Sequence, residues 1–224
     1  MVAGALGAPL IPGPFPVPTA AVFEAHDLAA RRGTTLLWQH LAFSLGEGAA
    51  LVVRGANGSG KTTLLRILAG LTRAEHGTLD WRGRRVHAFA QVLRDDVLFI
   101  GHAPALKDEM TAHENLASLA TLAAEDVQPT DAAAALAEVG IAVHGALPAR
   151  VLSQGQRRRV HLALLALSTR ALWILDEPAT ALDAHGLAWL EATLAGHCAR
   201  GGIVVLSTHV PIMINAADLT GITL

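Results

Sequence analysis

The feature that most constrains the fold is a glycine-rich segment that reads Gly55-Ala56-Asn57-Gly58-Ser59-Gly60-Lys61-Thr62. It matches the pattern G-x-x-x-x-G-K-[ST], which is typical of loops that bind nucleotide phosphates. An apolar run of strand type, Ala50 to Val53, precedes the segment, and an apolar run of helical type, Thr63 to Leu68, follows it. The pattern with its flanks therefore predicts a phosphate-binding loop between a strand and a helix rather than an ordinary glycine turn.

The residue types in this segment suit triphosphate chemistry. Glycines let the backbone N–H groups approach phosphate oxygens closely, and the N-terminus of the following helix adds partial positive charge. Lys61 can reach the β- and γ-phosphates, and the hydroxyl of Thr62 can ligate Mg²⁺. We expect residues 55–62, with Thr63 at the helix start, to bind ATP and Mg²⁺.

Two carboxylates end a second apolar run. Ala171 to Leu175 is followed directly by Asp176 and Glu177. In open α/β sheets ligands lie at the carboxyl ends of the strands, so these side chains are expected beside the phosphate loop. There Asp176 can hold Mg²⁺ through water, and Glu177 can orient the attacking water or accept its proton. The alternative is a solvated strand end that happens to carry two charges.

Apolar runs alternate with helical stretches in the second half of the chain, which predicts an α/β fold with a mostly parallel sheet. The expected helices are 61–69, 109–124, 131–139, 153–167 and 187–198, and the expected strands are 23–28, 41–45, 49–54, 78–81, 97–100, 171–175 and 203–207.

Composition narrows the function. The net charge is -2 and there is no long basic stripe, which disfavours nucleic-acid binding. The chain is 52% hydrophobic, yet no apolar stretch reaches the length of about eighteen residues that predicts a membrane span. One cysteine, Cys198, fits a reducing compartment. Residues 1–20 are rich in Pro and Gly and contain no Lys or Arg, so we expect a mobile leader.

A third motif, Leu152-Ser153-Gln154-Gly155-Gln156, lies shortly before the acidic strand. By itself it predicts a helix start, because Ser153 and Gln156 can form a capping box. Between a phosphate loop and an acidic strand, it resembles the signature of the ABC ATPase family, with Gln154 at the third position. The resemblance implies that Ser153, Gly155 and Gln156 bind the ATP held by a second copy, in a head-to-tail homodimer.

The order of the remaining motifs strengthens this resemblance. Ala181-Leu182-Asp183 resembles the D-loop of the family, and Ser207-Thr208-His209 resembles its switch histidine, which would hold the γ-phosphate and the water. The resemblance covers about residues 21–220. It implies a P-loop NTPase of ABC type in residues 21–224, in which the parallel sheet carries an antiparallel β edge and a helical sub-lobe spans about 101–165. Glu177, His209 and Lys61 would be its catalytic residues.

Two positions depart from the family pattern. His102 stands where a glutamine usually precedes Pro-x-Leu, and we expect it to link the ATP site to the helical lobe. The alternative is a loop histidine without catalytic work. Arg32 stands where an aromatic residue usually stacks on adenine, and its planar guanidinium can also stack on a base. The neighbouring run Arg157-Arg158-Arg159 is interpreted as a solvated helix face that supports the signature.

A narrower resemblance is to the CcmA family of cytochrome c maturation ATPases, carried by the segments 99–107, 114–116, 156–163, 172–178 and 201–209. It implies a peripheral subunit at the cytoplasmic face of the bacterial inner membrane. Its partners would be a membrane protein of CcmB type, with CcmC, CcmD and the haem chaperone CcmE. ATP hydrolysis would drive haem export or release of the loaded chaperone.

Two other functions stay open on sequence grounds. One is the ATPase subunit of another exporter of small substrates or lipids. The other is a soluble ABC protein that acts on nucleic acid or ribosomes. The latter proteins usually need a long coiled-coil insertion or two fused cassettes, and neither is present in the 224 residues.

Overall fold

The computed structural model describes residues 21–123, 125 and 128–224. The predicted leader, residues 1–20, lies outside them. The strands are β1 (Phe23–Arg32), β2 (Thr35–Leu45), β3 (Ala50–Arg54), β4 (His76–Trp81), β5 (Arg84–Val86), β6 (Val97–Ile100), β7 (Leu172–Asp176), β8 (Ile203–Ser207) and β9 (Leu219–Thr223). The helices are α1 (Lys61–Leu68), α2 (Gln91–Asp96), α3 (Ala112–Leu122), α4 (Pro129–Glu138), α5 (Gln154–Leu162), α6 (Leu164–Leu167) and α7 (Ala184–Ala199), with 3₁₀ turns at Ala142–His144 and Ala149–Val151.

The strands form two sheets. Five parallel strands lie in the order β6-β7-β8-β3-β9, and four antiparallel strands form a sheet of their own in the order β2-β1-β4-β5. The predicted α/β class with parallel and antiparallel parts is therefore confirmed. Because β3 and β7 both pair with β8, the three loops after these strands begin side by side at one edge of the parallel sheet.

The parallel sheet separates two hydrophobic clusters. Strands β3, β7 and β8 are buried almost throughout, which fits their continuous apolar sequences. Because successive side chains point to opposite faces, Trp173 and Leu175 belong to a cluster with residues of helices α3 to α7, whereas Leu172 and Ile174 pack with α1 and the antiparallel sheet. Both faces of the parallel sheet are therefore covered, and the loops that follow β3, β7 and β8 lie at its edge.

Local chemistry sets several helix boundaries. Helix α3 begins at Ala112 because Thr111 and Glu114 form a reciprocal capping box, three residues later than the sequence predicted. The single helix predicted over 153–167 is two helices, α5 and α6, which meet at Ala163. Within the part of the chain that the structure describes, no helix is both long and apolar enough to cross a membrane.

Candidate functional site

The glycine-rich segment forms the loop between β3 and α1, as the sequence predicted. Gly60, the N-cap of α1, has a φ of 101°, and a Cβ there would lie 2.7 Å from the indole nitrogen of Trp38. Only glycine fits this position without strain, because an L side chain rarely adopts that φ. The first N–H groups of α1 have no partner within the helix, which leaves them suited to an anionic ligand.

Lys61 is only 7% exposed and lies across the loop that precedes it. Its ammonium donates to the carbonyls of Gly55 (2.9 Å) and Ala56 (3.1 Å) and lies 3.0 Å from His209 Nε2. Because an ammonium can only donate, His209 Nε2 is the acceptor in this contact. The two most separated motifs of the sequence therefore meet through one hydrogen bond.

Asp176, at the end of β7, is buried to 1% exposure and fully engaged by hydroxyl groups. Its Oδ2 accepts from Thr62 Oγ1 at 2.7 Å, and its Oδ1 accepts from Ser207 Oγ at 2.6 Å. Carboxylate and hydroxyl oxygens are hard ligands of the kind that Mg²⁺ prefers. The donor set at Thr62 and Asp176 thus fits the cation that the sequence predicted there.

Glu177 has a left-handed backbone, with a φ of 50°, and its side chain turns toward His209. Its Oε2 accepts from the backbone N–H of His209 at 3.2 Å, and its Oε1 lies 3.3 Å from His209 Nε2. Oε1 is buried and accepts no hydrogen bond from the described residues. A buried carboxylate oxygen without a donor is costly, so this atom is suited to accept a proton or a hydrogen bond from a ligand.

One cavity of about 490 Å³ is lined by Lys61, Thr62, Asp176, Glu177 and His209. Its lining also contains both residues that depart from the family pattern, Arg32 and His102, together with Thr180 and Val210, which the sequence did not single out. His102 and Thr180 line a second cavity of about 300 Å³ as well, beside Gln154 of α5. His102 therefore lies between the phosphate loop and helix α5.

The signature residues lie outside the lining of this cavity. Ser153 caps α5 in the predicted capping box with Gln156, at 2.8 and 3.2 Å. A Cβ on Gly155 would lie 2.7 Å from the carbonyl oxygen of Ala181, so the signature helix packs directly on the loop that contains Asp183. Asp183 caps α7, and the N–H of Gly186 that it accepts is the main cause of its lowered pKa.

The interpretation of the arginine run as a solvated face is wrong for Arg158. This side chain is only 3% exposed, whereas those of its neighbours Arg157 and Arg159 remain partly exposed. Burial lowers the pKa of Arg158 to about 10, opposed by the charges of Asp176 and Glu177, so the guanidinium stays protonated at neutral pH. A run of three arginines gives no sequence signal for which one is buried, because that depends on the segments packed around α5.

Comparison with known proteins shows to which family the chain belongs. The sequence profile of the ABC transporter family matches residues 38–180. The fold resembles an ABC transporter ATP-binding protein from Pyrococcus furiosus, with a TM-score of 0.76 and 21% identity over 89% of this chain and 96% of that chain. It also resembles a dimeric ATP-binding cassette bound to ADP and Pi, with a TM-score of 0.71, 21% identity and coverage of 84% and 88%. The chain belongs to the ABC transporter family, as the sequence predicted.

The curated relatives narrow this class. The chain is 47% identical to the cytochrome c biogenesis ATP-binding export protein CcmA of Aromatoleum aromaticum, covering 86% of the chain and 91% of that protein. It is 46% identical to the protein of the same name from Pseudomonas aeruginosa, covering 84% and 93%. Within the ABC transporters, the chain is a member of the CcmA family.

Proposed function

We propose that the chain is the ATP-hydrolysing subunit of an ABC-type membrane complex in c-type cytochrome biogenesis, and that it couples hydrolysis to haem export or to release of a haem-loaded chaperone. The observation that carries the ATPase assignment is the meeting of Lys61, Asp176, Glu177 and His209 around the 490 Å³ cavity. Membership in the CcmA family carries the assignment to cytochrome biogenesis.

In this proposal the glycine loop and Lys61 bind the phosphates of ATP. Lys61 exchanges its contacts with the Gly55 and Ala56 carbonyls for phosphate oxygens, and the N–H groups of residues 56–63 bind the others. Thr62 and Asp176 would hold Mg²⁺, the latter through water, and the cation would supply positive charge beside the phosphates. Arg32 lines the same cavity, where its guanidinium plane would stack on adenine.

Glu177 and His209 position the attacking water. The unpartnered Oε1 of Glu177 accepts a proton from the water, while His209 holds the γ-phosphate side of the same site. The contact between Lys61 and His209 ends when ATP binds, because the ammonium turns to the phosphates. Nε2 of the ring is then released from the ammonium and, with the ring proton on Nε2, can donate to the γ-phosphate, so nucleotide binding completes the catalytic arrangement.

A second copy supplies the rest of the site in a head-to-tail homodimer. Ser153, Gly155 and Gln156 are absent from the lining of their own chain's cavity, which supports a role against the nucleotide of the other copy. Asp183, at the start of α7, follows Ala181, whose carbonyl lies against Gly155, and contributes to the same dimer interface. Hydrolysis weakens this dimer interface, because ADP lacks the γ-phosphate that Ser153 contacts.

The opening of the dimer interface is transmitted to membrane proteins through the helical sub-lobe. This sub-lobe is about residues 101–165 of an ATP-binding domain that spans 21–224. His102, which lines cavities on both sides, links the ATP site to this lobe. The partners proposed are a CcmB-type membrane protein with CcmC, CcmD and the haem chaperone CcmE, at the cytoplasmic face of the bacterial inner membrane. Nucleic acid has no part in the cycle.

Two variants test the ATPase proposal directly. Lys61→Ala should lose affinity for Mg-ATP, measured by calorimetry, because the phosphates lose their cation. Glu177→Gln should bind Mg-ATP and dimerise but turn over at least ~100-fold more slowly, since general-base catalysis typically contributes 10²–10⁴-fold. Wild-type turnover in Glu177→Gln would remove Glu177 from its role, and absence of Mg-ATP binding by the wild type would overturn the proposal.

The biological assignment needs a separate measurement. The complex should be purified from membranes through a tag on this chain, and its partners identified by mass spectrometry. Recovery of a CcmB-type protein supports the assignment, and haem-loaded chaperone should accumulate in cells that carry Lys61→Ala. Recovery of a different permease, or of nucleic acid, would overturn the link to cytochrome biogenesis and leave the ATPase proposal standing.

A further inference from the structure

The guanidinium of Arg158 is saturated by backbone carbonyls from two separate segments. Its Nε donates to Pro178 O at 3.2 Å, and its Nη2 donates to Asp176 O at 2.9 Å and Glu177 O at 2.7 Å. Its Nη1 donates to the carbonyls of Gly101 and His102 at 3.0 and 3.1 Å. Arginine has five N–H donors, and each has one acceptor here.

Two of these five bonds hold the carbonyls on either side of the Glu177 α-carbon. Glu177 is a non-glycine residue with a φ of 50°, a backbone conformation that persists only where the surroundings impose it. Fixing the carbonyls of residues 176 and 177 restricts the torsions between them, and those torsions decide where the Glu177 carboxylate points. The Glu177 backbone makes two further hydrogen bonds: its N–H donates to Ser207 Oγ at 3.0 Å, and its carbonyl accepts from the N–H of Thr180 at 3.2 Å.

The Nη1 group of Arg158 contacts the segment that follows β6. Gly101 and His102 follow Ile100, and His102 lines the cavity that contains Lys61 and Glu177. The arginine itself belongs to α5, the helix that Ser153 caps. One side chain therefore connects the signature helix, the backbone of Glu177 and the loop of His102.

We propose that Arg158 is a positioning residue for ATP hydrolysis, which holds the Glu177 backbone in its left-handed conformation and ties it to the signature helix and the His102 loop. The inference rests on the proposed ATPase function and adds a residue to it. Arg158 is not among the residues that line the 490 Å³ cavity, and it acts through Glu177. Lysine cannot replace it, because an ammonium has three donors and lacks the planar fork.

The test compares Arg158→Lys and Arg158→Gln with Arg85→Lys, a control arginine of β5. Arg85 is exposed and donates to Asp80 in the antiparallel sheet, so its replacement should leave turnover unchanged. Rates are expressed per nucleotide site, titrated by equilibrium binding of Mg-ATP, so that partly unfolded protein does not enter the value. For Arg158→Lys we expect kcat to fall ~100-fold, the size that small displacements of catalytic groups can cause. The Kd for Mg-ATP should change less than ~3-fold, because the phosphate loop is intact.

A double-mutant cycle separates positioning from general support of the fold. If Arg158 acts through Glu177, adding Arg158→Lys to Glu177→Gln should lower the residual rate by less than ~2-fold. Equal losses in both backgrounds, unchanged kcat in Arg158→Lys, or loss of Mg-ATP binding in both Arg158 variants would each overturn the inference. Those results leave the ATPase function in place if the wild type hydrolyses ATP, whereas an inactive wild type that binds no Mg-ATP would overturn the proposed function itself.

Discussion

Replacement of Ser207 by alanine is expected to destabilise the protein far more than the loss of one hydroxyl usually does. Ser207 is fully buried, and its Oγ both donates to Asp176 Oδ1 at 2.6 Å and accepts from the N–H of Glu177 at 3.0 Å. Alanine leaves a buried carboxylate oxygen with one donor fewer and a buried N–H without an acceptor. A hydrogen bond to a charged group contributes about 1.5–3 kcal/mol, and an orphaned buried group costs about 1–3 kcal/mol.

We therefore expect Ser207→Ala to lower the free energy of unfolding by about 3 kcal/mol, a large part of the 5–15 kcal/mol typical of a native protein. Urea titration followed by circular dichroism measures this change, and the midpoint should shift without a change in slope. The matched control is Ser44→Ala, at an exposed position of β2, which should change stability by less than about 0.5 kcal/mol. A loss below about 1 kcal/mol in Ser207→Ala would refute the reasoning, because it would show that both partners find other bonds.

Two further predictions concern pH and packing. Burial lowers the pKa of His161 and His197 from the ordinary 6.5 to about 4. Below pH 6.5 the unfolded state therefore binds more protons than the folded state. The free energy of unfolding should thus be constant above pH ~7 and fall by up to about 2 kcal/mol per histidine between pH 6.5 and 5, and denaturant titrations that show no fall would contradict this. Gly155→Ala should reduce turnover at least ~10-fold while Mg-ATP binding persists, because its Cβ displaces the Ala181 carbonyl on which the signature helix packs. Gly196→Ala in α7, whose Cβ meets only the end of Arg200, is the control and should stabilise by about 0.5–1 kcal/mol.

The sequence did not predict some of the strands and helices, and the reasons are local. Strand β5 has three residues, two of them arginines, and the edge strand β9 is half exposed, so neither has an apolar run. Helix α2 has six residues and no side-chain cap, which leaves little helical signal. By contrast, β6 and β8 were predicted with their observed bounds, because buried parallel strands are continuous apolar runs.

By itself, the sequence determined the phosphate loop, the acidic strand end and the capped signature helix, since each depends on neighbours within a few residues and on the period of apolar side chains. Only the tertiary structure decided which of these motifs meet. Whether Arg158 is solvated or buried under five carbonyls, and whether Lys61 reaches His209, depends on the order of strands in the parallel sheet. That order follows from the packing of the whole chain on both faces of the sheet, and no local pattern carries it.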